Sequence, residues 1–145
     1  TFTMELLTAQ EMQYSDATQN VPRLTQRLID ILDMIRIDGD MEKLPLAIFT
    51  TGDVAPAAIR AAAQRDTQVM AVACHGGLID RAGGQALDRL IAPLLMIFNA
   101  DDLAGNAAWQ RAASRLACTH EMQIIDIGED PAKPAASWFL PHLTL

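Results

Sequence analysis

Two hydrophobic patterns alternate along the chain. Nearly continuous apolar runs cover residues 46–50 (LAIFT), 68–73 (QVMAVA), 94–98 (LLMIF) and 122–127 (MQIIDI), and each predicts a strand. The first three lack the apolar–polar alternation of a sheet with one wet face. They therefore predict strands covered on both sides, as in a parallel sheet. Residues 1–7 (TFTMELL) alternate at their start and predict one more strand. Elsewhere the period is helical. Leu24, Leu28, Ile31, Leu32 and Ile35 recur every three or four positions, with Asn20 as N-cap and Pro22 in the first turn. Asp38-Gly39-Asp40 ends that helix. Further helices are predicted over about residues 53–65, 85–90 and 106–116. A last short helix spans 135–143, interrupted by Pro141. Residues 8–20 read as a loop.

Strand and helix alternate five times. That order predicts an α/β fold: a three-layer or two-layer sandwich around a mostly parallel sheet of about five strands, in a single domain over residues 1–145. Right-handed crossovers that advance in one direction place their helices on one face of the sheet. The other face is then left to the C-terminal segment alone, which predicts a homo-oligomer, a dimer through the uncovered sheet face. The alternative is that the first helix packs there and completes the monomer.

Composition narrows the partners. The 145 residues carry a net charge of -7, which disfavours nucleic acid and anionic membrane. No apolar run approaches the roughly 18 residues of a spanning helix and no signal peptide is visible, so a cytoplasmic location is expected. Two cysteines make no disulfide framework.

The chemistry should lie where strands end and helices begin. Residues 46–58 read as strand, tight turn, helix, and ligands bind at the carboxyl edge of such sheets. The turn Thr50-Thr51-Gly52-Asp53-Val54 has neither the lysine of a phosphate loop nor a G-x-G-x-x-G, and Asp53 would repel an anion. His75, Asp101 and Asp102 follow other strands at the same edge. Asp101 and Asp102 read equally as solvated carboxylates capping the next helix. Cys74 and His75 are neighbours on a strand and point to opposite faces, so Cys74 is expected to be buried and structural. Three scattered histidines give no HxxxH or CxxC spacing; no metal and no cofactor are expected.

From Leu6 to about residue 130 the chain resembles the dienelactone-hydrolase-like branch of the α/β-hydrolases. The resemblance is carried by residues 44–59 (LPLAIFTTGDVAPAAI), residues 74–83 (CHGGLIDRAG) and residues 92–102 (APLLMIFNADD). It implies a truncated α/β-hydrolase-like core, since the first three strands of that fold and the loop supplying one oxyanion donor have no counterpart. It also implies a nucleophile elbow, G-x-S-x-G, at the turn after residue 50. There Gly52 stands in the nucleophile's place and has no side chain to attack with. Asp102 aligns with the family's acid. Gly128-Glu129-Asp130-Pro131 stands where the histidine base should follow, and His142 comes only later. The implied protein has lost nucleophile and base, and acts through self-association or by binding a small molecule. The alternative is an ester or dienelactone hydrolase with a rearranged site, drawing on Thr51, His75, Asp101 and Asp102, or one completed by a partner chain.

Overall fold

The structure is a computed structural model and describes residues 3, 5–14, 16–41 and 43–143. Four strands, β1 (Leu46–Thr51), β2 (Val69–His75), β3 (Leu94–Asn99) and β4 (His120–Ile125), form one parallel sheet in the order β1-β2-β3-β4. Five α-helices surround it: α1 (Val21–Ile37), α2 (Ala55–Gln64), α3 (Gly84–Arg89), α4 (Leu103–Ala112) and α5 (Ala132–Leu143). The class is the α/β class expected. The sheet has four strands rather than about five, because Thr3 and residues 5–7 form no strand. Thr1, Phe2 and Met4 of that stretch lie outside the described residues. The Leu6 carbonyl is taken instead by Arg27 Nη1 at 2.6 Å, so it is spent on α1 and not on a ladder.

Strand periodicity divides the apolar residues between two faces. Ile48, Val72, Cys74, Leu94, Met96 and Phe98 join the larger core, together with Ile29 and Leu32 of α1, Ala55, Ala58, Ala61 and Ala62 of α2, Leu87 of α3 and Trp109 of α4. Ala73, Leu95, Ile97 and Ile125 face the other way and meet Ala135, Trp138 and Phe139 of α5. The arrangement is three-layered but lopsided: four helices on one face, one on the other. The unidirectional strand order produces this asymmetry, since each right-handed crossover returns on the same side. The first helix does not cover the second face. It stacks outside α2, which explains why α2 is built from alanine. Seven of its ten residues are buried between sheet and helix, where only small side chains let both neighbours approach.

The loop expected over residues 8–20 holds two 3-10 turns, Glu11–Gln13 and Ala17–Gln19. Thr8 and Glu11 cap each other: the Glu11 N–H donates to Thr8 Oγ1 and the Thr8 N–H to Glu11 Oε1. Arg27 then grips both Glu11 oxygens at 2.8 Å, a bidentate pair that fastens the segment to α1. The Arg27 guanidinium, followed by the Thr8 N–H, holds the Glu11 carboxyl down at about 2, against 4.5 ordinarily. A lowered carboxylate contributes stability that is present above its unfolded value and lost as the pH falls toward the folded one. The tie is thus complete above pH 4.5 and lost between there and pH 2. In an NMR titration Glu11 should have its midpoint near 2, and in Arg27→Ala the midpoint should move up toward 4.5.

Candidate functional site at the carboxyl edge of the sheet

Three loops meet at the carboxyl ends of β1, β2 and β3. After β1 the backbone is extended at Thr51 and turns over at Gly52, whose φ of 60° is left-handed. A 3-10 turn, Gly52–Val54, leads into α2. After β2, Gly76 and Gly77 fold back across this turn. Gly77 has a φ of 109°, and a Cβ there would stand 2.6 Å from both the Ala55 Cβ and the Gly52 carbonyl oxygen. After β3 the chain turns through residues 99–102 into α4. A Cβ on Gly76 would lie 3.6 Å from Asp102 Oδ2, so this third loop sits against the second.

His75 and Asn99 are joined across the edge. The imidazole Nε2 is hydrogen-bonded to Asn99 Oδ1 at 3.0 Å. Thr51 is the register partner of His75 and shares its face, but no hydrogen bond joins the two among the described residues. Asn99 is the site residue that the sequence pattern does not single out. Its signal is positional: both residues end adjacent parallel strands, on the same face.

Asp102 is engaged elsewhere. Its Oδ1 accepts the Gly105 N–H at 2.9 Å as the N-cap of α4, and its carbonyl accepts from the Asn106 side chain. The capping reading therefore describes it. Asp101 is exposed at the turn beside it. Neither carboxylate bonds His75. On the opposite face, Cys74 is fully buried beneath the crest, and burial pushes its thiol up to about 12 although the Thr50 hydroxyl beside it pulls down. Thr50 is itself buried, and its Oγ1 has no hydrogen bond of good geometry, the Cys74 thiol being its polar neighbour across the ladder.

The other histidines lie away from this edge. His120 begins β4 at the opposite end, with Nδ1 on the Cys118 carbonyl and its ring edge-on to Trp109. Trp138 donates to the Pro93 carbonyl at the amino end of β3, and the His142 ring lies tilted against it one turn further on. Cys118 and Cys74 are both free thiols. Among the described residues no group of three or more His, Cys, Asp or Glu side chains is placed to hold a metal ion, and no helix is long and apolar enough to cross a membrane. A cavity of about 210 Å³ opens at the amino ends of β1 and β2, lined by Leu46, Gln68 and Met70 among others, the far end of the sheet from Gly52.

Solved structures share this architecture. A dienelactone hydrolase from Anabaena variabilis superposes with a TM-score of 0.84 at 28% identity, over 97% of this chain and 71% of its own. The chain has a dienelactone-hydrolase-like α/β-hydrolase fold. An acetyl xylan esterase from Paenibacillus sp. R4 shares the fold at 13% identity, with a TM-score of 0.66 over 92% of this chain and 55% of its own. No family model matches the sequence. Two Mycobacterium tuberculosis proteins, from strains CDC 1551 and H37Rv, each bearing the name "Putative phosphoribosyl transferase", are 31% identical over 153 residues. That alignment takes in 99% of this chain, which spans about a third of the length of these curated relatives (34%).

Proposed function

We propose that this protein is a non-catalytic member of its fold class that acts by self-association. One observation carries the reading. The turn that presents the nucleophile in hydrolases of this fold is built here on Gly52, with the left-handed φ of such an elbow and open space where a side chain would stand. The rest of the machinery is committed elsewhere: Asp102 caps α4, and His75 is held by an amide rather than a carboxylate. A threonine nucleophile in place of Gly52 is disfavoured, since a β-branched residue resists a positive φ. Self-association is supported over small-molecule binding by the single helix on the second face, beside which Phe49 is exposed.

The test is activity. Incubation with a fluorophosphonate probe and with p-nitrophenyl acetate should give no adduct and no turnover above buffer. Turnover abolished by substituting Thr50, Thr51 or Asp102 would overturn the reading.

A second reading is a hydrolase completed by another polypeptide. It is suggested by His75, Asn99 and Thr51 gathering at the carboxyl edge of the sheet. It predicts turnover only when this chain is prepared together with the completing polypeptide. The phosphoribosyl transferase name belongs to proteins about three times as long. Nothing in the turn at Gly52, with Asp53 at the start of the 3-10 turn, favours a phosphate ligand.

A further inference from the structure

Four arginines gather on residues 80–84. This segment takes in most of the 3-10 turn Ile79–Ala82, packs against both α2 and α4, and leads into α3. From α2, Arg60 donates its Nε–H to the Ala82 carbonyl at 2.8 Å, and a Cβ on Gly83 would lie 3.8 Å from Arg60 Nη2. From the last turn of α4, Arg111 Nε reaches Asp80 Oδ2 at 2.9 Å. Just beyond that helix, Arg115 lies against Gly84, where a Cβ would stand 2.6 Å from Arg115 Cζ. Asp88 receives the same guanidinium through both oxygens, at 2.8 and 3.2 Å. Arg81 belongs to the segment itself and is exposed.

The charges do not balance. Within α2, residues 67–100 and residues 103–115, the acidic residues are Asp80 and Asp88 alone. Each is spent on one arginine, Asp80 on Arg111 and Asp88 on Arg115. Asp53, Asp66 and Asp102 lie beyond the ends of α2 and α4. Arg60 and Arg81 have no ion-pair partner among the described residues. The segment therefore carries two positive charges in excess, on a chain whose net charge is -7. Arg89, at the far end of α3, adds a further guanidinium.

We propose that this surface binds a phosphoryl dianion, free or on a small ester, through Arg60 and Arg81, with Arg111 and Arg115 beside them. Guanidinium forks match the oxygens of a phosphoryl group, and each bond is charge-assisted. Arg60, Arg111 and Arg115 are already fixed by their own hydrogen bonds, so little side-chain freedom is lost on binding. Gly83 and Gly84 place no side chain between the arginines. A phosphoryl group carries about two negative charges at neutral pH, which equals the local excess. A long polyanion would instead meet the negative remainder of the chain. The site is separate from the crest at Gly52 and stands whether or not the protein self-associates.

The experiment titrates inorganic phosphate and phenyl phosphate into the isotope-labelled chain, with potassium chloride at equal ionic strength as the reference. The Gly83 and Gly84 amides and the Arg60 Nε–H should shift saturably. The double variant Arg60→Gln, Arg81→Gln should raise the dissociation constant at least about tenfold. Lys133→Gln, at an exposed lysine on α5, should leave it unchanged. Arg81→Gln alone removes no internal ion pair and keeps the test open should the double variant fail to fold, as checked by circular dichroism. It should weaken binding at least about threefold. Tighter binding of phenyl phosphate assigns the site to an ester, and tighter binding of inorganic phosphate to the free ion. Shifts that potassium chloride reproduces, shifts that never saturate, or an affinity unchanged by the arginine variants overturn the site.

Discussion

Gly77→Ala should unfold at a temperature lower by about 10 °C, the shift expected for a loss of about 3 kcal/mol in a chain of this size. Two costs combine. The residue sits at a φ of 109°, where any Cβ is strained by roughly 1–3 kcal/mol. The added methyl would also stand 2.6 Å from the Ala55 methyl and from the Gly52 carbonyl oxygen, one in the first turn of α2 and the other in the turn before it. Neither is the loose end of a flexible side chain, so backbone must shift. Gly52→Ala is the control. It has the left-handed φ but nothing within 4 Å of the new Cβ, so it should lose only the strain, about 1 kcal/mol. Calorimetry on both variants separates the contributions. Equal shifts would mean that the packing of the second loop on the first contributes nothing.

Phe98→Ala should cost about 3–5 kcal/mol in urea unfolding, a large part of the 5–15 kcal/mol that holds a typical domain together. Phe98 is completely buried on β3, facing the larger core. Its ring also supports the crest. A Cβ on Gly105 would lie 2.7 Å from Phe98 Cε1 and 2.5 Å from Asp102 Oδ2, so the first turn of α4 rests on the ring at glycine distance. Removing the ring should loosen the capped turn as well as the core. The amide of Gly105, donated to Asp102, should exchange faster in Phe98→Leu than in the parent protein, even where global stability is nearly kept. An unchanged Gly105 amide would separate the crest from the core beneath it.

Much of this fold is legible in the sequence because its signals are local. Asn20 accepts the Arg23 N–H as N-cap, as the Asn-x-Pro pattern predicts. The apolar runs of β2 and β3 are nearly continuous because helices cover both faces at the sheet's centre, whereas β1, read as equally covered, lies at the end of the strand order with Phe49 exposed. The errors are equally physical. Residues 1–7 share the alternation of a strand, yet Thr3 and residues 5–7, the described part, form none, because alternation does not reveal whether a neighbouring strand exists to pair with. Helix α4 begins at Leu103 and not Asn106, because Asp102 is a cap. A carboxylate after a strand looks alike in sequence whether it orients a base or closes a helix. Helix α5 begins at Ala132, where the Asp130 side chain accepts the Ala132 N–H, a signal hidden behind Pro131. The His75–Asn99 contact depends on inter-strand register, which no single segment encodes.

The consecutive strand order has a consequence for how the chain acquires its shape. Every ladder joins residues between 22 and 26 positions apart, from Val72 with Leu94 to Leu94 with His120. No strand must wait for a distant one, and each new β–α unit finds its docking edge already made by the one before. Parallel sheets are usually slow to form because their pairings are remote in sequence. Here growth by accretion is open at every step, from the β1 end outward, so a chain emerging from the ribosome could build its sheet in the order in which it is synthesised.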